Sequence, residues 1–82
     1  MSRVLTVYTT PWCGYCVRLK RQLDDAGLSY LEVDISVDEA AAEQVTRVNG
    51  GNETVPTVLF PDGSALTNPR MHEVAARLRR TA

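Results

Sequence analysis

Cys13 and Cys16 are the only cysteines among 82 residues, and they stand three apart in Trp12-Cys13-Gly14-Tyr15-Cys16. Two thiols at this spacing close into a small disulfide ring and reopen without disturbing the rest of a fold. Before them, Val4-Leu5-Thr6-Val7-Tyr8 is apolar and β-branched, like a strand covered on both faces. After them the period turns helical. A C-x-x-C between strand and helix, in a chain with no other cysteine, reads as a redox-active pair. A structural zinc site needs four ligands, and the two cysteines with distant His72 supply three at most, so no metal is expected.

The thiolate is the attacking form, and a free cysteine with a pKa of about 8.5 is only ~3% thiolate at neutral pH. Cys13 falls at the exposed start of the helix, where unpaired N–H groups and the macrodipole favour negative charge, so its pKa is expected to be depressed. A drop of about two units raises the thiolate fraction roughly 25-fold but lowers intrinsic nucleophilicity about tenfold, a net gain of a few-fold. The larger benefit is that Cys13 becomes a good leaving group. Cys16 lies on the buried stripe, where apolar surroundings keep it protonated until it attacks the Cys13 sulfur. Trp12 and Tyr15 flank the pair, and two readings stay open for them: loop packing, or the lining of a thiol groove. Arg18 and Lys20 are either solvated or add positive potential. His72, alone on the last helix, reads as a solvated residue.

The elements that position these groups follow from periodicity. Between Cys13 and Ala26, a stripe of Cys16, Leu19, Leu23 and Ala26 opposes Arg18, Arg21, Gln22 and Asp25, and Gly27 stands where a C-terminal cap belongs. Residues 30–35 read as a second strand. Ser36-Val37-Asp38-Glu39 has the spacing of a capping box, opening a helix to about Val48 that buries Ala41, Val45 and Val48. Asn49-Gly50-Gly51 stops it. Thr57-Val58-Leu59-Phe60 is a third strand, Pro61-Asp62-Gly63 a turn, and Ser64-Ala65-Leu66 a short edge strand that completes a hairpin. Asn68 as N-cap and Pro69 at the first helical position open a last helix burying Met71, Val74, Ala75 and Leu78. The order β-α-β-α-β-β-α predicts one α/β domain over residues 1–82, a mixed four-stranded sheet flanked by helices, with a parallel pair joined by a right-handed crossover.

At 44% apolar and 23% charged residues the composition is that of a globular domain. A net charge of −1 lacks the basic footprint of a nucleic-acid binder. Arg70, Arg77, Arg79 and Arg80 read as a solvated face at the negative end of the last helix. No apolar run approaches the ~20 residues that span a bilayer. Met1-Ser2-Arg3 passes straight into a strand pattern, leaving no room for a signal peptide, so a cytoplasmic protein is expected. There a disulfide is transient and catalytic.

With the C-x-x-C, the element order and Thr54-Val55-Pro56, the chain resembles the glutaredoxin family over nearly its whole length, which implies a thioredoxin/glutaredoxin-like fold. Val55-Pro56 looks like that family's cis-proline element, whose preceding backbone pairs with the peptide portion of a bound thiol. A closer resemblance is to the mycoredoxins, actinobacterial relatives coupled to mycothiol. It is carried by Tyr8-Thr9-Thr10 leading to Trp12-Cys13-Gly14-Tyr15-Cys16, by Val48-Asn49-Gly50-Gly51-Asn52 and Thr54-Val55-Pro56-Thr57, and by Asp62-Gly63-Ser64 through Leu66-Thr67-Asn68-Pro69. Many glutathione-dependent relatives carry a lysine where Thr10 stands and an acidic pair around Leu66-Thr67-Asn68-Pro69. Here those positions offer neutral hydrogen-bonding groups.

The resemblance implies a mycothiol-dependent thiol–disulfide oxidoreductase acting on protein–mycothiol mixed disulfides, with Cys13 as nucleophile and Cys16 resolving. It implies a groove of Trp12, Tyr15, Thr54, Val55, Pro56, Thr67 and Asn68. It further implies no bound cofactor, mycothiol as the reducing co-substrate, mycothiolated proteins as partners, mycothione reductase and NADPH upstream, and a monomer. Two other functions fit the same motif. One is a thioredoxin-reductase-fed dithiol donor, for example to ribonucleotide reductase, but its Trp-Ser-Gly-Phe-type segment is not matched by Leu66-Thr67-Asn68-Pro69. The other is a dimeric iron–sulfur carrier using Cys13 and a low-molecular-weight thiol.

Overall fold

Side chains of a strand point alternately to opposite faces, so the apolar run around Leu5 needs cover on both sides of its sheet. A computed structural model, which describes residues 4–80, supplies that cover. The elements are β1 (Leu5–Thr9), α1 (Gly14–Asp25), β2 (Tyr30–Asp34), α2 (Glu39–Val48), β3 (Thr57–Leu59), β4 (Ala65–Thr67) and α3 (Met71–Arg80), in the expected order. The strands lie side by side as β2-β1-β3-β4. β1 pairs parallel with β2 and antiparallel with β3, and β3 pairs antiparallel with β4, so the sheet is mixed.

Two apolar clusters sit on the two faces. Leu5 and Val7 of β1 and Val58 of β3 pack with Phe60, Leu19 and Leu23 of α1, and Val74 of α3. Tyr8 and Ile35 pack with Ala41 and Val45 of α2. Each fully buried Val or Leu is worth about 1.5–3 kcal/mol relative to exposure. Lys20 of α1 is bonded to Glu32 of β2 at 2.7 Å, tying helix to sheet.

The helix ends differ from the sequence expectations in ways that tertiary bonds explain. α1 closes with Gly27 at φ +70°, its N–H donating to the Asp24 carbonyl and that of Leu28 to the Leu23 carbonyl. Ala26 is the cap residue and is exposed, off the buried stripe, because the helix has already ended there. The capping box at Ser36 does not form. The Asp34 carboxylate takes both the N–H and the hydroxyl of Ser36, at 2.9 and 2.5 Å, and Asp38 caps α2 by accepting the Ala41 N–H at 3.0 Å. Val48, the last residue of α2, lies outside the apolar cluster and is exposed.

Asn68 does not cap α3. Its N–H donates to the Pro56 carbonyl at 2.7 Å and its φ is +45°, a left-handed conformation that asparagine tolerates and an N-cap excludes. The helix opens instead at Arg70, whose N–H donates to the Glu73 carboxylate at 2.8 Å while its carbonyl accepts from Glu73 and Val74. Residues 1–3, on which the expectation about a signal peptide rests, lie outside the described residues.

Candidate active site

Cys13 is the N-cap of α1 rather than its first helical residue, and it is half-buried rather than fully exposed. A bond from the Cys13 N–H to the Thr10 carbonyl at 3.2 Å folds the Thr10-Pro11-Trp12-Cys13 turn, and the Cys13 carbonyl accepts the first helical bond, from Val17. That turn directs Cys13 Sγ at the helix end, where it accepts the Cys16 N–H at 3.0 Å. The first turn of α1 carries no acidic residue to oppose negative charge on that sulfur. The two sulfurs are joined as a disulfide, with Cα atoms 5.2 Å apart, inside the usual span for such a bond. Cys16 is 1% exposed. One sulfur is reachable and the other is packed beneath it.

The Val55–Pro56 bond is cis. The Val55 carbonyl lies 3.8 Å from Cys13 Sγ. Pro56 is buried, Val55 half-buried and Thr54 exposed. Asn68 is held to the same loop through the Pro56 carbonyl, and the hydroxyl of Thr67 donates to the Asn49 carboxamide oxygen. Trp12 and Tyr15 are 76% and 65% exposed, so loop packing accounts for neither.

Tyr15 and Asn68 share a groove of about 650 Å³ between α1 and the start of α3, lined also by Arg18, Gln22, Arg70 and His72. Neither cysteine lines it, nor do Trp12, Thr54, Val55, Pro56 or Thr67, so of the expected groove residues it takes in Tyr15 and Asn68 alone. The sequence reading did not put Arg18, Gln22, Arg70 or His72 in that groove. The signal for the first two was present, since Tyr15, Arg18 and Gln22 recur at helical spacing on one face of α1. Arg70 and His72 arrive from the far end of the chain, and nothing local marks them. Lys20 adds no free charge here. Its hydrogen bond holds the Glu32 carboxyl below the ordinary glutamate range, helped by the Thr9 hydroxyl and opposed by partial burial. Among the described residues, no group of three or more His, Cys, Asp or Glu could hold a metal ion.

Sulfur pair, cis-proline loop and mixed sheet together define a thiol–disulfide exchange protein of the thioredoxin-like class. The solved thioredoxin-like protein BC3987 superposes with a TM-score of 0.76 at 28% identity, over 88% of this chain and 96% of that one. The glutaredoxin family model matches residues 5–64, which include both cysteines and Thr54-Val55-Pro56. The chain belongs to the glutaredoxin family and is a glutaredoxin-like disulfide oxidoreductase. It is 59% identical over 78 residues to a Mycobacterium tuberculosis protein named as a candidate glutaredoxin, Rv3198A, covering 95% of this chain and 93% of that one. It is also similar to mycoredoxin 1 of Corynebacterium glutamicum, 47% identical over 78 residues and 95% of each chain. Among the described residues, no helix is long and apolar enough to cross a membrane.

Proposed function

We propose that this oxidoreductase reduces mixed disulfides between proteins and mycothiol, with mycothiol as its reducing co-substrate. The observation that carries the choice of thiol is the 47% identity to mycoredoxin 1 across 95% of both chains. Further support comes from the neutral groups of Thr67 and Asn68 and from Thr10, which replace the acidic pair and the lysine of many glutathione-dependent relatives.

The Cys13 thiolate attacks the mycothiol sulfur of a protein–mycothiol disulfide. A Cys13–mycothiol disulfide forms, and the protein cysteine leaves as a thiolate that takes a proton from water. The Val55 backbone pairs with the cysteinyl part of the bound thiol, while Trp12, Tyr15, Thr54, Pro56, Thr67 and Asn68 flank that thiol around Cys13. Two routes then free the enzyme. A second mycothiol thiolate attacks the mycothiol sulfur, releasing the Cys13 thiolate and mycothiol disulfide, which mycothione reductase returns to thiol with electrons from NADPH. Alternatively Cys16 loses its proton and attacks the Cys13 sulfur, releasing mycothiol and leaving the Cys13–Cys16 disulfide. The protein works in this account as a cytoplasmic monomer with no resident cofactor.

Serine variants test these roles. Cys13→Ser abolishes all activity, because a serine hydroxyl is not appreciably ionised at neutral pH. Cys16→Ser accumulates a mycothiol adduct on Cys13, visible by mass spectrometry, and still releases mycothiol from proteins, yet fails on ordinary protein disulfides. A well-folded Cys16→Ser protein without demycothiolation activity contradicts the route through a second mycothiol.

A further inference from the structure

Asn49 caps the C-terminus of α2, far in sequence from Cys13, and its carboxamide meets at once two of the segments proposed to flank the bound thiol. Its Nδ2 donates to the Thr57 hydroxyl at 2.9 Å and to the Thr54 carbonyl at 3.3 Å, and its Oδ1 accepts from the Thr67 hydroxyl. Thr57 and Thr67 are directly opposed in the β3–β4 register, so their side chains leave the same face of the hairpin and one amide plane reaches both. The Thr57 hydroxyl passes the bond on, donating to the Thr54 carbonyl at 2.8 Å. Thr54 also donates its N–H and hydroxyl to Asn52, whose own amide donates to the Asn49 carbonyl at 3.2 Å. One residue beyond Thr54 is Val55, whose carbonyl lies against Cys13 Sγ; one residue beyond Thr67 is Asn68.

We propose that Asn49 is a positioning residue for disulfide exchange, fixing the separation between the Thr54–Pro56 loop and the Thr67–Asn68 segment so that a bound thiol presents its sulfur in line with Cys13. The inference rests on the placement of the bound thiol proposed above. The chemistry asks for an amide of this length: aspartate has no N–H for the Thr54 carbonyl, glutamine is one methylene too long, and leucine pairs with none of the three groups. Exchange proceeds through three sulfurs nearly in line, and a shift of about 1 Å in such an arrangement costs up to ~100-fold in rate.

Asn49→Ala, Thr57→Val and Thr57→Ser are compared with the unmodified protein in steady-state turnover and in the rate of Cys13 alkylation by iodoacetamide. The substrate is whichever mixed disulfide, of mycothiol or of glutathione, the unmodified protein turns over faster. A mistaken thiol assignment then appears in the unmodified protein's rates and leaves the variant ratios readable. Asn49→Ala and Thr57→Val lower kcat/KM on the order of tenfold, mainly through kcat, while alkylation stays within about twofold. Thr57→Ser, which restores the hydroxyl, returns to within about twofold of the unmodified protein. The inference is overturned if Asn49→Ala leaves kcat/KM unchanged, if alkylation falls as far as turnover, or if Thr57→Ser fails as Thr57→Val does. An Asn49→Ala protein that melts below the assay temperature also overturns it, since the amide then supports the fold and not the exchange site.

Discussion

A sulfur that ends a turn and accepts a free N–H from the first turn of a helix is placed to carry charge. Cys13 does so through the Cys16 N–H at 3.0 Å, with no carboxylate in the first turn to offset it. In the reduced protein that N–H is a hydrogen bond the thiolate accepts more strongly than the thiol, which is the physical ground for expecting a depressed pKa. Thiolate absorbance of the reduced protein, with Cys16→Ser isolating the signal, is predicted to titrate with a midpoint clearly below about 8.5. A midpoint at or above that value removes the electrostatic part of the account. The two cysteines were legible because spacing and the strand-to-helix switch are local properties. Arg70, His72 and the bonds of Asn49 were not, because they depend on how an irregular loop folds back and on which elements become neighbours in space.

At the level of elements, existence and order followed from periodicity, whereas the ends were settled by competition for hydrogen bonds. Ser36 and Asp38 are both good helix-capping residues two positions apart, and the S-x-x-E spacing favoured the first. Asp34 decides the matter, because its carboxylate occupies Ser36 and leaves Asp38 to the helix. Asp38→Ala is therefore predicted to cost about 1 kcal/mol in urea denaturation, as loss of a cap does. Ser36→Ala should stay within about 0.5 kcal/mol, as for a surface change. Equal losses, or a larger loss at Ser36, contradict the assignment of the cap. Asn68 shows the same limit of local reading. Asn-Pro before an apolar stripe looks like a helix start, but the Pro56 carbonyl captures the Asn68 N–H and turns the chain before α3 begins at Met71.

Over the whole molecule, the sheet order β2-β1-β3-β4 sets β1, which leads into the cysteine turn, beside β3, which follows the cis-proline loop. That adjacency was not readable from any single segment, since it rests on the antiparallel pairing of β1 with β3, about fifty residues apart in the chain. The segments around Cys13 and the adjoining α1–α3 groove bear in opposite directions on the proposed choice of thiol. Asn68 contributes a neutral amide and no acidic pair stands beside it, whereas Arg18 and Arg70 present positive charge that the carboxylates of glutathione would also answer. Turnover of one protein substrate carrying either mycothiol or glutathione on the same cysteine, with each thiol as its own reductant, weighs the two directly. The account predicts that kcat/KM for the mycothiol form exceeds that for the glutathione form by at least about tenfold, on the order of 1.4 kcal/mol in transition-state binding. Equal values, or a preference for glutathione, contradict it.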